Sequence, residues 1–179
     1  MSSLWRLEPL LGGIAMRRIP VSVGTAFGLT AFACLQARGA FDEQKIDLAK
    51  VPAVVRQAAE KAAPGVKFTQ ATKETEEGKT TYSLEGKNAQ NRDVTVEVTP
   101  DGKVLEVETE IEMNEVPKIV SSALKAKMPT FLPVEASTIH KDGKLVWYAF
   151  EGKDEKGAEL DVLVSPDGKT VKLDDDDDD

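Results

Sequence analysis

The 179-residue sequence contains one cysteine and one histidine. Cys34 can form no intramolecular disulfide and cannot seed a cysteine metal cluster. With His140 alone, a histidine-rich metal site and an HExxH zinc motif are excluded by counting. One histidine would suffice for a Ser-His-Asp triad, but no G-x-S-x-G context accompanies it. Aromatics make up only 6% of the chain, and 23 Lys and Arg stand against 31 Asp and Glu, a net charge of −8. The missing basic patch argues against nucleic acid and anionic membrane as partners. The expectation is a protein with no catalytic residues, no metal and no cofactor.

What is present begins with an export pattern. Met16-Arg17-Arg18 precedes an apolar stretch, 19–35, and a small-residue exit at Ala37-Arg38-Gly39. Basic, apolar and small-residue regions in that order make a secretory signal. Residues 1–39 are therefore expected to direct the chain to the periplasm or outside the cell, with Met16 as an alternative start. Cleavage after Gly39 is one outcome. A lipidated Cys34, or an uncleaved signal, is the other and would tie the protein to a membrane. Without 1–39, which hold one acid and four bases, the body has 30 acids and 19 bases, a net of −11. Six of those acids are the aspartates at 174–179, a like-charge run that reads as a solvated tail. Weak cation or surface binding through that tail is the alternative function.

The body is organised by a repeat. Val98-Thr99-Pro100-Asp101-Gly102-Lys103 and Val164-Ser165-Pro166-Asp167-Gly168-Lys169 lie 66 positions apart. Each reads as strand, turn, strand, because proline presets φ and glycine admits the left-handed conformation. Helices are predicted from Val51-Pro52 to Pro64-Gly65 and from Val116-Pro117 to Met128-Pro129. Val54, Val55, Ala58, Ala59 and Ala62 form one apolar stripe in the first of them. Strands follow at 66–75, 79–86, 92–99 and 103–112, then at 134–141, 144–152, 158–165 and 170–173. Their period-two alternation implies one buried face. Acids alternate along two of these strands, at Glu74 and Glu76 and from Glu106 to Glu112, which reads as a charged outer edge.

The fold class is α+β. Two tandem helix-plus-four-stranded-antiparallel-sheet units, 51–113 and 114–173, follow a polar lead-in at 40–50, and each helix packs on one face of its sheet. Sixty residues bury only a modest core, so the units gain by packing side by side as one sheet.

Val-Pro-x-x-Val…Ala…Pro-Gly, Tyr-x-Leu-x-Gly and Val-x-Pro-Asp-Gly-Lys together resemble the PepSY-like modules. These include exported bacterial proteins described as β-lactamase-inhibitor-like. The resemblance covers both copies, Val51 to Leu173, through Pro52, Pro117, Tyr82, Tyr148 and the two Pro-Asp-Gly turns. It implies a helix-on-sheet fold, export, no catalysis, and a tandem pair that grips an enzyme on a concave sheet.

An asymmetry between the copies suggests where. Tyr148 and Phe150 have the buried parity, so Trp147 points to the other face. A hairpin closed near Glu155 would set Trp147 opposite Leu163, and an Asp142-Gly143 turn would bring Thr138 and His140 to the same face. The first copy has Thr81 opposite Glu97 there. The expected partner-binding residues are Trp147, Leu163, His140 and Thr138, and the expected partner is a protein.

Overall fold

The computed structural model describes residues 42–76 and 78–174. The export segment with Cys34, and all but the first of the tail aspartates, lie outside the described residues. Strand β1 (Asp42–Ile46) leads through a 3-10 turn (Leu48–Lys50) into helix α1 (Ala53–Ala62). Strands β2 (Lys67–Glu76), β3 (Lys79–Lys87), β4 (Asp93–Val98) and β5 (Val104–Ile111) follow. A second 3-10 turn (Met113–Glu115) leads to helix α2 (Lys118–Lys127). Then come β6 (Leu132–Lys141), β7 (Lys144–Lys153), β8 (Glu159–Val164) and β9 (Val171–Leu173).

All nine strands form one antiparallel sheet in chain order. The two units are therefore joined in one continuous sheet, the side-by-side packing that their small size favours. β5 pairs with β6 from Val107↔His140 to Ile111↔Ala136, so the ladder runs unbroken between the halves. The polar lead-in is corrected. Residues 42–46 pair with β2 as a ninth strand, and Asp47 caps the 3-10 turn by accepting from the Ala49 amide at 2.8 Å. This edge strand carries charge along most of its length, which blunts the edge but leaves no apolar alternation to read.

Each helix starts directly after a proline, Pro52 or Pro117, whose fixed φ suits the entry. Val55 and Ala59 in α1, and Val120 and Leu124 in α2, are buried one turn apart. α1 lies on β4 and β5, and α2 on β8 and β9. Beneath α1 are Leu84, Val94, Val96 and Val98; beneath α2 are Phe150, Val162 and Val164. Burying each such side chain stabilises the fold by roughly 1.5–3 kcal/mol. Among the described residues no helix is long and apolar enough to cross a membrane.

The Pro-Asp-Gly turns lock these layers together. The amides of Gly102 and Gly168 donate to Thr99 and Ser165 carbonyls at 2.9 and 2.8 Å, closing each turn. Both glycines have positive φ, +87° and +68°, and both sit against the first turn of a helix. A Cβ on Gly102 would lie 2.7 Å from Val54 Cγ2, and one on Gly168 would lie 2.9 Å from the Ile119 carbonyl oxygen. The motif that marks the repeat is thus also the contact that seats each helix.

Candidate binding face

Among the described residues the two helices cover one face of the sheet and neither lies on the other. Cross-strand pairing sorts the residues. Leu84, Val96 and Val107 stand opposite one another on the helix side, so Ser83, Glu97 and Glu106 share the outer side. In the second half Ala149 stands opposite Leu163 on that outer side.

Trp147 lies on the outer face, partly buried. With Val146 it packs on a small cluster of Ile139, Ala149 and Leu163, all at most 5% exposed. The Lys172 ammonium sits 5.8 Å from the Trp147 ring centroid, a cation–π contact. Trp147 and Leu163 therefore meet in one cluster, but not as a directly opposed pair.

The register explains the difference. Trp147 faces Ile139, and Leu163 faces Ala149. The β7–β8 connection is longer than a tight turn. Asp154 Oδ1 accepts from the Lys156 and Ala158 amides, both at 2.8 Å, and builds a loop over 154–158. That moves the pairing by two residues, and the first half shows the same shift, with Ser83 rather than Thr81 opposite Glu97.

The grouping of Thr138 and His140 with Trp147 is also corrected. Asp142 and Gly143 do form the two-residue turn, both at positive φ. Beyond it the register slips between Ile139 and His140, leaving Val146 without a partner residue. One extra residue reverses the facing of everything that follows. Thr138 pairs with Tyr148 and His140 with Val107, both partners belonging to the helix-side clusters, and Ile139 takes their place beside Trp147.

The outer face also carries an acidic trough. This open trough measures about 1250 Å³ and is lined by residues from β2 through β8. Its lining holds ten carboxylates, among them Glu85, Glu97, Glu108 and Glu151, and three lysines. Glu106, Glu108 and Glu110 belong to β5, the fifth of nine strands. The expected charged edge is therefore the middle of the sheet. The Glu106 carboxylate is 2% exposed and meets the Lys141 ammonium at 3.3 Å. Ser137 donates to Glu108, and the Asp93 amide donates to Glu110 at 2.9 Å.

Glu97 stands directly opposite Glu106. Burial pushes its carboxyl up to about 8, with Glu106 and Glu74 adding to the rise and Lys141 opposing it. Desolvation also raises Glu74, reinforced by Glu43, Glu76 and Glu85. Among the described residues no three His, Cys, Asp or Glu side chains converge as metal ligands.

The structure is thus an α+β protein with two helices on one face of a nine-stranded antiparallel sheet. No protein-family model matches the chain, and no curated protein does. Solved structures share the fold. A DUF2874 family protein of Bacteroides uniformis superposes with a TM-score of 0.53 at 18% identity, over 68% of this chain and 88% of its own. A protein of Bacteroides eggerthii named as periplasmic gives 0.53 at 18% identity, over 69% and 88%. A BLIP-like protein of Bacteroides fragilis gives 0.50 at 18% identity, over 70% and 89%. At such identities the likeness is one of fold.

Proposed function

We propose that the protein is an exported, non-enzymatic binding module that holds a protein partner on the outer face of its sheet, and that inhibition of a secreted enzyme is the consequence. On this reading the repeats 51–113 and 114–173 act as one surface. The observation that carries it is Trp147, an aromatic placed over a small apolar cluster on the face the helices leave open. Tryptophan supplies much of the energy in protein interfaces. The export pattern at 1–39 and the shared fold with a BLIP-like protein support the same reading.

The test is affinity capture from the exported fraction with residues 40–179 as bait, followed by calorimetry on the purified pair. Trp147→Ala is expected to weaken the complex by at least about tenfold, while far-UV circular dichroism stays unchanged because the helix-side clusters are untouched. Equal affinity of the two forms overturns the reading. A complex lost on deletion of 174–179 instead assigns binding to the tail.

A further inference from the structure

The outer face has a chemistry that Trp147 alone does not explain. Ten carboxylates and three lysines line the trough. Two of the lysines, Lys87 and Lys153, are already engaged, with Asp93 at 2.8 Å and Glu159 at 3.8 Å. Glu97 faces Glu106 across the ladder, so ionising both sets like charges directly opposite one another at a cost to the sheet. Glu97 lines the trough, and among the described residues nothing donates a hydrogen bond to its carboxylate or pairs with it in a salt bridge. Val134, which lines the trough, is 67% exposed. It offers apolar surface to the aliphatic stems of long side chains.

We propose that the occupant of this trough is a lysine- and arginine-rich segment of the partner protein, laid across the acidic floor with its cations toward Glu97, Glu85 and Glu151. This rests on the reading of the outer face as a docking surface. A chain segment fits better than a small ligand, since the trough exceeds the roughly 300–1,000 Å³ of small-molecule sites. From β2 to β8 it spans about 29 Å at the usual strand spacing of about 4.8 Å, which an extended chain covers with about nine residues. A cation in the trough would favour ionised Glu97. Binding should therefore tighten as pH rises toward about 8 and level off above it. The groups facing Glu97 are Glu74 of β2, Ser83 of β3, Glu106 and Glu108 of β5 and Lys141 of β6. Lysines in the segment stay charged throughout that range.

The probe is a nonapeptide of lysine and arginine, titrated into the full chain by calorimetry. The variant is the triple Glu85→Gln, Glu97→Gln, Glu151→Gln. A control of equal charge change, Glu60→Gln, Asp142→Asn, Glu155→Gln, alters carboxylates that do not line the trough. The expected result is at least about a tenfold loss with the first set and less than about twofold with the second. The remaining binding should weaken with salt. The rise with pH should disappear in Glu97→Gln alone. Equal losses in both sets, no binding of the peptide, or tighter binding of calcium chloride than of the peptide overturns the proposal. If a captured partner depends on Trp147 but binds the trough variant as well as the parent, the docking face stands and the cationic chemistry falls.

Discussion

Gly86→Ala is expected to lower the unfolding free energy by about 3 kcal/mol or more, a large share of the roughly 5–15 kcal/mol that holds a domain together. Gly86 is buried in β3 where the start of β2 crosses it. A Cβ there would lie 2.2 Å from the Lys67 carbonyl oxygen and 2.6 Å from Phe68 Cα. Both atoms are backbone, so no rotamer change relieves the contact. The β2–β3 ladder must open near its bulge at Thr69, between Phe68 and Gln70. Urea denaturation of the parent and the variant measures the loss. Gly78→Ala is the internal comparison. That residue has φ +79° but nothing within 4 Å of a Cβ, so only backbone strain of about 1 kcal/mol is expected. Similar losses at the two glycines would mean that the close approach in β3 contributes little. The second half has the same arrangement at Gly152, against the Leu132 carbonyl oxygen at 2.4 Å and the Phe131 ring.

Those matched glycines show what kind of information the sequence carries openly. Tyr82-Ser83-Leu84-Glu85-Gly86 and Tyr148-Ala149-Phe150-Glu151-Gly152 align because each must meet the same neighbours, and the Pro-Asp-Gly turns align because each must close beneath a helix start. Local chemistry fixes such features: a proline before a helix, a glycine under a contact, a valine on alternate positions. β1 escapes this kind of reading because Ile46 is its only apolar residue. It is a strand through pairing with β2, a tertiary fact.

The candidate face is legible in the sequence to the same depth. The parity of Trp147 follows from Tyr148 and Phe150 and is correct, and so is the Asp142-Gly143 turn. Which residues join Trp147 depends on one unpaired residue, Val146, and on a loop shaped by the Asp154 side chain. Neither leaves a periodic trace. The central place of the β5 acids is hidden from the sequence for a related reason. Alternation says that Glu106, Glu108 and Glu110 share a side, but only the long-range pairing of β5 with β6 makes that side the centre of a trough. Charge on a strand reads as edge until the sheet order is known.

Glu97 turns that placement into the second large effect. An acid with an ordinary value near 4.5 in the unfolded chain, pushed up to about 8 in the fold, binds its proton more tightly when folded. The folded state then carries more protons between those values, so stability falls as pH rises through that window and is lowest above about pH 8. The full difference corresponds to a ceiling of about 5 kcal/mol. Water reaching the open trough screens the charges, so a loss on the order of 2–3 kcal/mol between pH 5 and pH 9 is expected. Glu97→Gln removes the titration while keeping the shape. Chemical denaturation should find the variant more stable than the parent at pH 9, with the difference shrinking toward pH 5. The burial of charge, and the repulsion from Glu106 and Glu74 beside it, that weaken the free protein at high pH are what a bound cation would relieve. A parent whose stability is flat from pH 5 to 9, or a Gln variant with the same slope, would show that Glu97 ionises freely and that the trough floor is not under electrostatic strain.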